Sequence, residues 1–213
     1  MRLETSHPGA ARRVDLASSF AAWDGEWYVK IASSGYEWDC ERMSSVAFFP
    51  AYPALAAIVQ KVTGCRTEWA LLVVSHGALL GCFVLLGSYV RKRFPEASVD
   101  LPEYSLLALG LFPTTFWMRM CYTESLFLFA VLLAMFGMQL GWRPLWVALV
   151  IGFATATRSS GVALVPVFCW WLWHGSEGQA FVQAARKAIV LLPVCVWGLL
   201  ASPVKVHCCR GNR

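Results

Sequence analysis

WALLVVSHGALLGCFVLLGSYV, residues 69–90, is an apolar run whose only titratable side chains are those of His76, Cys82 and Tyr89. As a helix rising 1.5 Å per residue it is long enough to cross the ~30 Å hydrocarbon core of a bilayer. Arg91, Lys92 and Arg93 follow at once, and a basic cluster at the end of a span marks its cytoplasmic side. Tyr104–Met118, Ser125–Leu140, Leu145–Ala156, Val162–Trp173 and Ala188–Val204 are further apolar segments. Several are shorter than a full crossing, which predicts tilted, broken or partly re-entrant helices.

Composition agrees with a membrane protein. The 213 residues are 58% hydrophobic and 15% charged, whereas soluble domains carry closer to ~25% charged residues. Mean hydropathy is +0.54, and eleven Trp and thirteen Phe supply interfacial aromatics. The net charge of +5 does not point to nucleic acid, because Lys and Arg stand at the ends of apolar runs. Eight Cys contain no CxxC pair, which removes zinc-ribbon and thioredoxin-like readings. Cys82, Cys169 and Cys195 read as small core residues. Cys40 and Cys65 are a pairing candidate on an oxidising side. Cys208 and Cys209 read as a juxtamembrane pair or a lipidation site.

Four regions follow. Residues 1–22 are a polar tail with no apolar run, and 23–68 form an outer-face loop with interfacial helices. Residues 69–204 are the transmembrane helical domain, and 205–213 a polar tail. FPAYPALAAIVQKVTG, residues 49–64, is short and holds two of its residues as helix-restricting prolines at 50 and 53, so it reads as an interfacial helix. If 145–173 is a helical hairpin, Arg143, Arg186 and Lys187 share the side of residues 91–93. The 23–49 loop, the 119–124 turn and Arg158 then share the opposite face, lumenal or periplasmic.

That opposite face carries the acids: Asp24, Glu26, Glu37, Asp39 and Glu41 stand close together in WDGEWYVKIASSGYEWDCERMSSVAFFPAYP, residues 23–53. Acids gathered in one aqueous loop of a membrane protein point to chemistry or binding. Asp24 lies between Trp23, an aromatic that can stack on a ligand ring, and Gly25, which permits close approach. It reads either as a general base or as the cap of the helix DGEWYVKIASSG. Glu26 either orients Asp24, binds ligand hydroxyls, or lies on the wet face of that helix. Asp39 and Glu41 form a D-x-E pair without further ligands at metal spacing, so a solvated loop is the better reading. Glu124, with Tyr122 and Thr123, opens an apolar helix; it stabilises the helix N-terminus or binds ligand hydroxyls, with Arg119 near in sequence. Arg158 lies between apolar segments in TATRSSG, where a charge costs about 2.5–3.5 kcal/mol on insertion scales and needs a partner. A lipid phosphate suits it; a snorkelling interfacial Arg is the alternative. His76 reads as an interhelical hydrogen-bonding residue, and Lys30 as an interfacial charge.

WDGEWYVKIASSGY followed by AFFPAYP resembles the PIG-V-type mannosyltransferases. FPTTFWMRMCYTESLFLF at 112–129 and ATATRSSGVALVPV at 154–167 are second and third matching blocks, in the family's order. The resemblance covers roughly residues 20–170. It implies an all-α, polytopic GT-C-like bundle with an outer-face catalytic loop and short interfacial or re-entrant helices. It implies a hexosyltransferase, using a polyprenyl-phosphate sugar, typically dolichyl-phosphate mannose, and a GPI-type or other lipid-linked glycan acceptor. No metal and no cofactor are expected. Catalysis falls to Asp24 and Glu26, and substrate binding to Trp23, Tyr28, Arg119, Tyr122, Glu124 and Arg158. The expected location is a multi-pass position in a bacterial cell membrane or the endoplasmic reticulum membrane, with a membrane partner subunit as an option. Family members carry a helix before the WDG block and several after residue 200, so a short or truncated member is expected. The alternatives are a non-catalytic membrane subunit that binds lipid-linked sugar, and a transporter; the paired repeats of a transporter are not seen in the sequence.

Cysteines placed at positions 34 and 97 should be labelled by an impermeant thiol reagent from opposite faces of sealed vesicles. Labelling of both from one face would remove Asp24 from the outer side.

Overall fold

The computed structural model describes residues 16–37, 45–175 and 181–201, and every regular element among them is helical. The helices are α1 (Leu16–Phe20), α2 (Asp24–Ser34), α3 (Ala51–Thr63), α4 (Thr67–Arg93), α5 (Leu101–Leu111), α6 (Thr115–Met118), α7 (Glu124–Gln139), α8 (Pro144–Thr157), α9 (Leu164–His174) and α10 (Phe181–Leu200). Short 3-10 turns occupy Ser45–Ala47 and Ser159–Ala163. Asp39, Glu41, Cys40, Cys208 and Cys209 lie outside the described residues.

The apolar run at 69–90 is the body of α4. This is the one described helix long and apolar enough to cross a bilayer, with 27 residues and a window hydropathy of 2.2. Only 39% of that window is buried, and Leu80 and Val84 are more than half exposed. An apolar face of this length with no protein against it is a face for lipid or for another chain. Helices α5, α7 and α8 are apolar but shorter.

Local chemistry sets the boundaries. Residues 104–118 are not one helix: α5 stops at Leu111 and Phe112 turns to extended backbone at ψ 129°. Pro113 enforces this, since the residue before proline is driven out of the helical region. In α3, Pro50 occupies the cap and Pro53 the first turn, where a missing N–H costs nothing. Pro144 starts α8 for the same reason.

Packing uses small residues. Ala130 and Ala134 of α7 are buried against Ala148, Ile151 and Ala154 of α8, with Phe168 of α9 completing the cluster. Small side chains let helix backbones approach, the usual basis of association in lipid. The extreme case is α8 with α10. A Cβ on Gly198 would come within 2.2 Å of the Ala156 backbone nitrogen and 2.4 Å of the Gly152 carbonyl oxygen. Cys195 and Thr155 sit at the same crossing, where the Thr155 hydroxyl donates to the Cys195 carbonyl at 3.3 Å. Cys82 and Cys195 are buried and Cys169 half-buried, all as free thiols.

The helix directions divide the bundle into two ends. The Ser75 hydroxyl meets the Tyr122 carbonyl, and Tyr89, Lys92 and Arg93 line a cleft with Met135, Met138 and Gln139, so α4 and α7 run parallel. One end gathers the starts of α2 and α7 with the end of α8. The other gathers the ends of α4, α7 and α9. His76 belongs to neither. Its Nδ1 lies 2.9 Å from the Leu72 carbonyl of its own helix, which replaces the expected interhelical bond with a local one.

Gly198→Ala should therefore force α10 off α8 and lower stability by about 1–3 kcal/mol. Gly77→Ala, where an added Cβ meets nothing within 4 Å, should be neutral or stabilising by up to about 1 kcal/mol. Thermal unfolding of both variants in detergent checks the pair, and equal destabilisation would refute this packing.

Candidate active site

Three separate stretches of sequence meet at the first end of the bundle. A cavity of about 220 Å³ is lined by Asp24 and Tyr28 of α2, by Ala47, Phe48 and Phe49, by Tyr122, Thr123 and Glu124, and by Thr157, Arg158 and Ser159. These are residues of the three sequence blocks that carried the resemblance.

The framework around it is hydrogen-bonded and aromatic. Tyr52 is fully buried, and its hydroxyl lies 3.1 Å from the Leu71 carbonyl and 2.7 Å from the Ser75 hydroxyl. Ser75 in turn donates to the Tyr122 carbonyl at 3.3 Å. The Tyr28 ring meets Tyr52 and Phe48 edge-on, at 5.0 and 5.1 Å. Tyr36 donates to the Phe48 carbonyl at 3.0 Å, holding the 45–49 segment over α2. The backbone N–H of Cys121 donates to the Phe20 carbonyl, and the Tyr122 hydroxyl to the Ala22 carbonyl at 3.2 Å. The segment before Asp24 is thereby tied to the segment before Glu124.

Asp24 is not a helix cap. It is the first residue of α2, Trp23 holds the cap position, and no side chain caps the helix. Trp23 is forced to φ 55°, a left-handed conformation that costs a non-glycine residue about 1–3 kcal/mol. Its ring packs on Trp117 at 5.5 Å. The Asp24 carboxylate makes no hydrogen bond or ion pair among the described residues, and it faces the cavity exposed.

Arg158 has the partner that its cost demands. Its Nη1 donates to Glu124 Oε1, and both side chains are part-buried. Sequence separation hides this pair, which joins the end of α8 to the start of α7. The 3-10 turn that follows Arg158 depends on Gly161, where a Cβ would come within 2.7 Å of the α8 backbone. One guanidinium N–H is committed to Glu124; a guanidinium carries five, so the fork keeps donors for an anion in the cavity.

Other expected site residues lie elsewhere. Glu26 is exposed on α2, away from the cavity lining. Trp23 flanks Asp24 without lining the cavity, and Arg119 is exposed beyond it. Lys30 is not beside Arg158: it pairs with Glu37 at 2.6 Å and lies over the Trp27 ring. Ala47, Phe48, Phe49 and Thr157 line the cavity without having been singled out in the sequence. No cluster of metal-ligating side chains occurs among the described residues.

Tyr28 registers the field of the site. Its phenol is pushed up to about 12, by burial first, opposed by a hydrogen bond from Thr123, and raised further by the Glu124 and Asp24 carboxylates. The Glu124–Arg158 pair, with guanidinium donors left over, and the Asp24 carboxylate in one cavity are groups able to hold a polar ligand that carries both a hydroxyl and an anion.

The chain is similar to curated proteins named GPI alpha-1,6-mannosyltransferase 2. It is 28% identical to the one from Homo sapiens over 159 residues, covering 70% of this chain and 31% of that one. It is 26% identical to the one from Mus musculus over 196 residues, 88% of this chain and 39% of that one. The Cricetulus griseus protein matches at 26% over 157 residues, 70% of this chain and 31% of that one. The chain thus spans about a third of the length of the curated relatives it matches. No protein-family profile matches it, and no solved structure does.

Folding keeps the Tyr28 phenol neutral beyond its ordinary value of 10. Its contribution to stability is fully present below pH 10 and is lost as pH rises towards about 12. Tyr28→Phe should flatten that alkaline loss in unfolding titrations; an unchanged alkaline limb would show that Tyr28 is not buried against this site.

Proposed function

We propose that the chain is part of a membrane mannosyltransferase that moves a hexose, mannose, from a polyprenyl-phosphate donor such as dolichyl-phosphate mannose to a lipid-linked or GPI-type glycan acceptor. The observation that carries this reading is the unpaired Asp24 carboxylate facing the Glu124–Arg158 pair across one cavity. The names of the similar curated proteins support the choice of reaction and sugar.

The roles follow from the chemistry of the transfer. The acceptor hydroxyl is a weak nucleophile, and Asp24 takes its proton as the oxygen attacks the anomeric carbon. The bond from that carbon to the donor phosphate oxygen breaks, and its electron pair leaves with the phosphate. A phosphate leaves as an anion without a general acid, so one carboxylate suffices where a glycosidase uses two. Arg158 receives that anion through the N–H groups that Glu124 does not hold. Glu124 aims the guanidinium and offers its other oxygen to sugar hydroxyls. Tyr28, Phe48 and Tyr122 give the hexose aromatic and hydroxyl walls. Trp23 and Arg119, outside the cavity lining, are left with the flanks of a longer substrate, and Glu26 with the solvent side of α2.

The setting is a bilayer, with α4 crossing it and α7 to α10 as the remaining, shorter passes of a multi-pass GT-C-like arrangement. The cavity faces the lumen of the endoplasmic reticulum or the outside of a bacterial cell membrane. Basic residues collected at the opposite end of the bundle, and the apolar outward face of α4, support that orientation.

The test is transfer of radiolabelled mannose from polyprenyl-phosphate mannose in proteoliposomes. Asp24→Asn should lower the rate by about 10²–10⁴-fold with expression unchanged, while Glu26→Gln should be mild. Half the activity surviving in Asp24→Asn would exclude Asp24 as the base, and no transfer by the unaltered chain would favour a binding subunit instead.

A further inference from the structure

The end of the bundle away from Asp24 holds a second cleft. It has a volume of about 580 Å³ and lies between the last turns of α4, α7 and α9. Gln139 at the end of α7 stands 15 residues from Glu124 at its start, which separates the two sites by roughly 22 Å along the helix.

Its lining combines three kinds of group. Lys92 and Arg93 supply full positive charges, and both are exposed. Trp170 and Trp171 supply flat apolar walls. Trp170 is fixed by His174, whose ring lies 3.8 Å from it and whose Nδ1 sits 3.2 Å from the Trp170 carbonyl. The third group is Gln139, whose Oε1 is buried in the described structure with no hydrogen-bond partner. A carbonyl oxygen buried without a donor is unfavourable, and a turn of the Gln139 amide, which lines the cleft, presents that oxygen to a donor from whatever fills it. The ends of α4, α7 and α9 direct about half a negative charge each towards this region, yet the side chains placed there add two full cations.

The depth identifies the source. Lys92 and Arg93 terminate the one long apolar helix, and Trp170 and Trp173 are exposed beside them. Basic residues and tryptophans at the end of a span mark the headgroup layer of a bilayer. We propose that this cleft binds one anionic, hydroxyl-bearing phospholipid. Its phosphodiester lies between Lys92 and Arg93, a headgroup hydroxyl donates to Gln139 Oε1, and its acyl chains run along Trp170 and Trp171. The site rests on α4 crossing a bilayer and is independent of sugar transfer.

The full chain, purified in detergent, is titrated with phosphatidylglycerol, phosphatidylmethanol and phosphatidylcholine and read by native mass spectrometry. Phosphatidylmethanol keeps the phosphodiester and lacks the hydroxyl. The expected result is one retained phosphatidylglycerol per chain, held more tightly than either of the others. Lys92→Gln and Arg93→Gln should each weaken it about fivefold. Arg91→Gln, which alters the same basic run outside the cleft, should leave it unchanged. Gln139→Leu should abolish the preference over phosphatidylmethanol. Equal loss in Arg91→Gln would mean a diffuse basic surface, and equal retention of phosphatidylcholine or phosphatidylmethanol would remove the headgroup contacts. Displacement by millimolar inorganic phosphate would make the ligand a soluble anion. Each of these three results overturns the proposal. None of them depends on turnover, so failure here and failure of the mannosyltransferase reading are read separately.

Discussion

The buried chain of hydrogen bonds from Tyr52 through Ser75 to the Tyr122 carbonyl is the constraint on which the site depends. Tyr52 and Ser75 are both fully buried. In such surroundings a hydroxyl without a partner is costly, so the three groups must come together or not be buried at all. Meeting that condition docks α3 on α4 and fixes the turn that precedes α7. The Tyr28 ring then packs on Tyr52, the 45–49 segment closes over α2, and Asp24 is brought to the cavity that Glu124 and Arg158 share. The polar residues of the site are therefore positioned by polar residues one layer beneath them, in a bundle otherwise held by small apolar contacts.

The two charged features of the cavity are held in different ways. Arg158 and Glu124 restrain each other, each removing the other's cost of partial burial. Asp24 has no such restraint and is held through the backbone, by a tryptophan in a left-handed conformation and by links from residues 20–22 to residues 121–122. A paired cation suits ligand binding, because its geometry survives the arrival of an anion. An unpaired carboxylate suits proton transfer, because nothing competes with the substrate for its lone pairs.

Much of this was legible in the sequence, and the reasons for what was not are physical. Helix type and extent follow from apolar run length, and α4 and α7 fall within a few residues of the expected segments. The break after Leu111 needed only the rule for residues preceding proline, yet a continuous apolar pattern over 104–118 concealed it. Asp24, Tyr28, Tyr122, Glu124 and Arg158 were singled out and do meet at one cavity. Their meeting was invisible, because pairing across 34 residues of chain leaves no local signal. For that reason the sequence offers Arg158 a lipid phosphate as partner and not Glu124. Ser75 was passed over for His76 beside it. A charged ring draws attention in an apolar run, whereas a serine becomes informative only when its acceptor, on another segment, is known. Lys30, an interfacial charge in the sequence, is held by its salt bridge to Glu37, a partner seven residues on.

The helices surrounding the cavity differ in length. At 1.5 Å per residue, the 27 residues of α4 measure about 40 Å, whereas the 16 of α7 and the 14 of α8 measure about 24 and 21 Å. A hydrocarbon layer of ~30 Å fits neither group, and each ångström of mismatch costs a fraction of a kcal/mol. Leaning relieves α4. If α7 and α8 cross the bilayer as the proposed function has it, the shorter pair has no such freedom and the leaflet beside it dips. Under that proposal, a dip at that flank would bring the headgroup plane down to the mouth of the Asp24 cavity and shorten the climb of a lipid-borne phosphate to Arg158. Bilayer elasticity would then be a variable of the proposed reaction: thick, stiff membranes would resist the dip, and thin ones would supply it without cost.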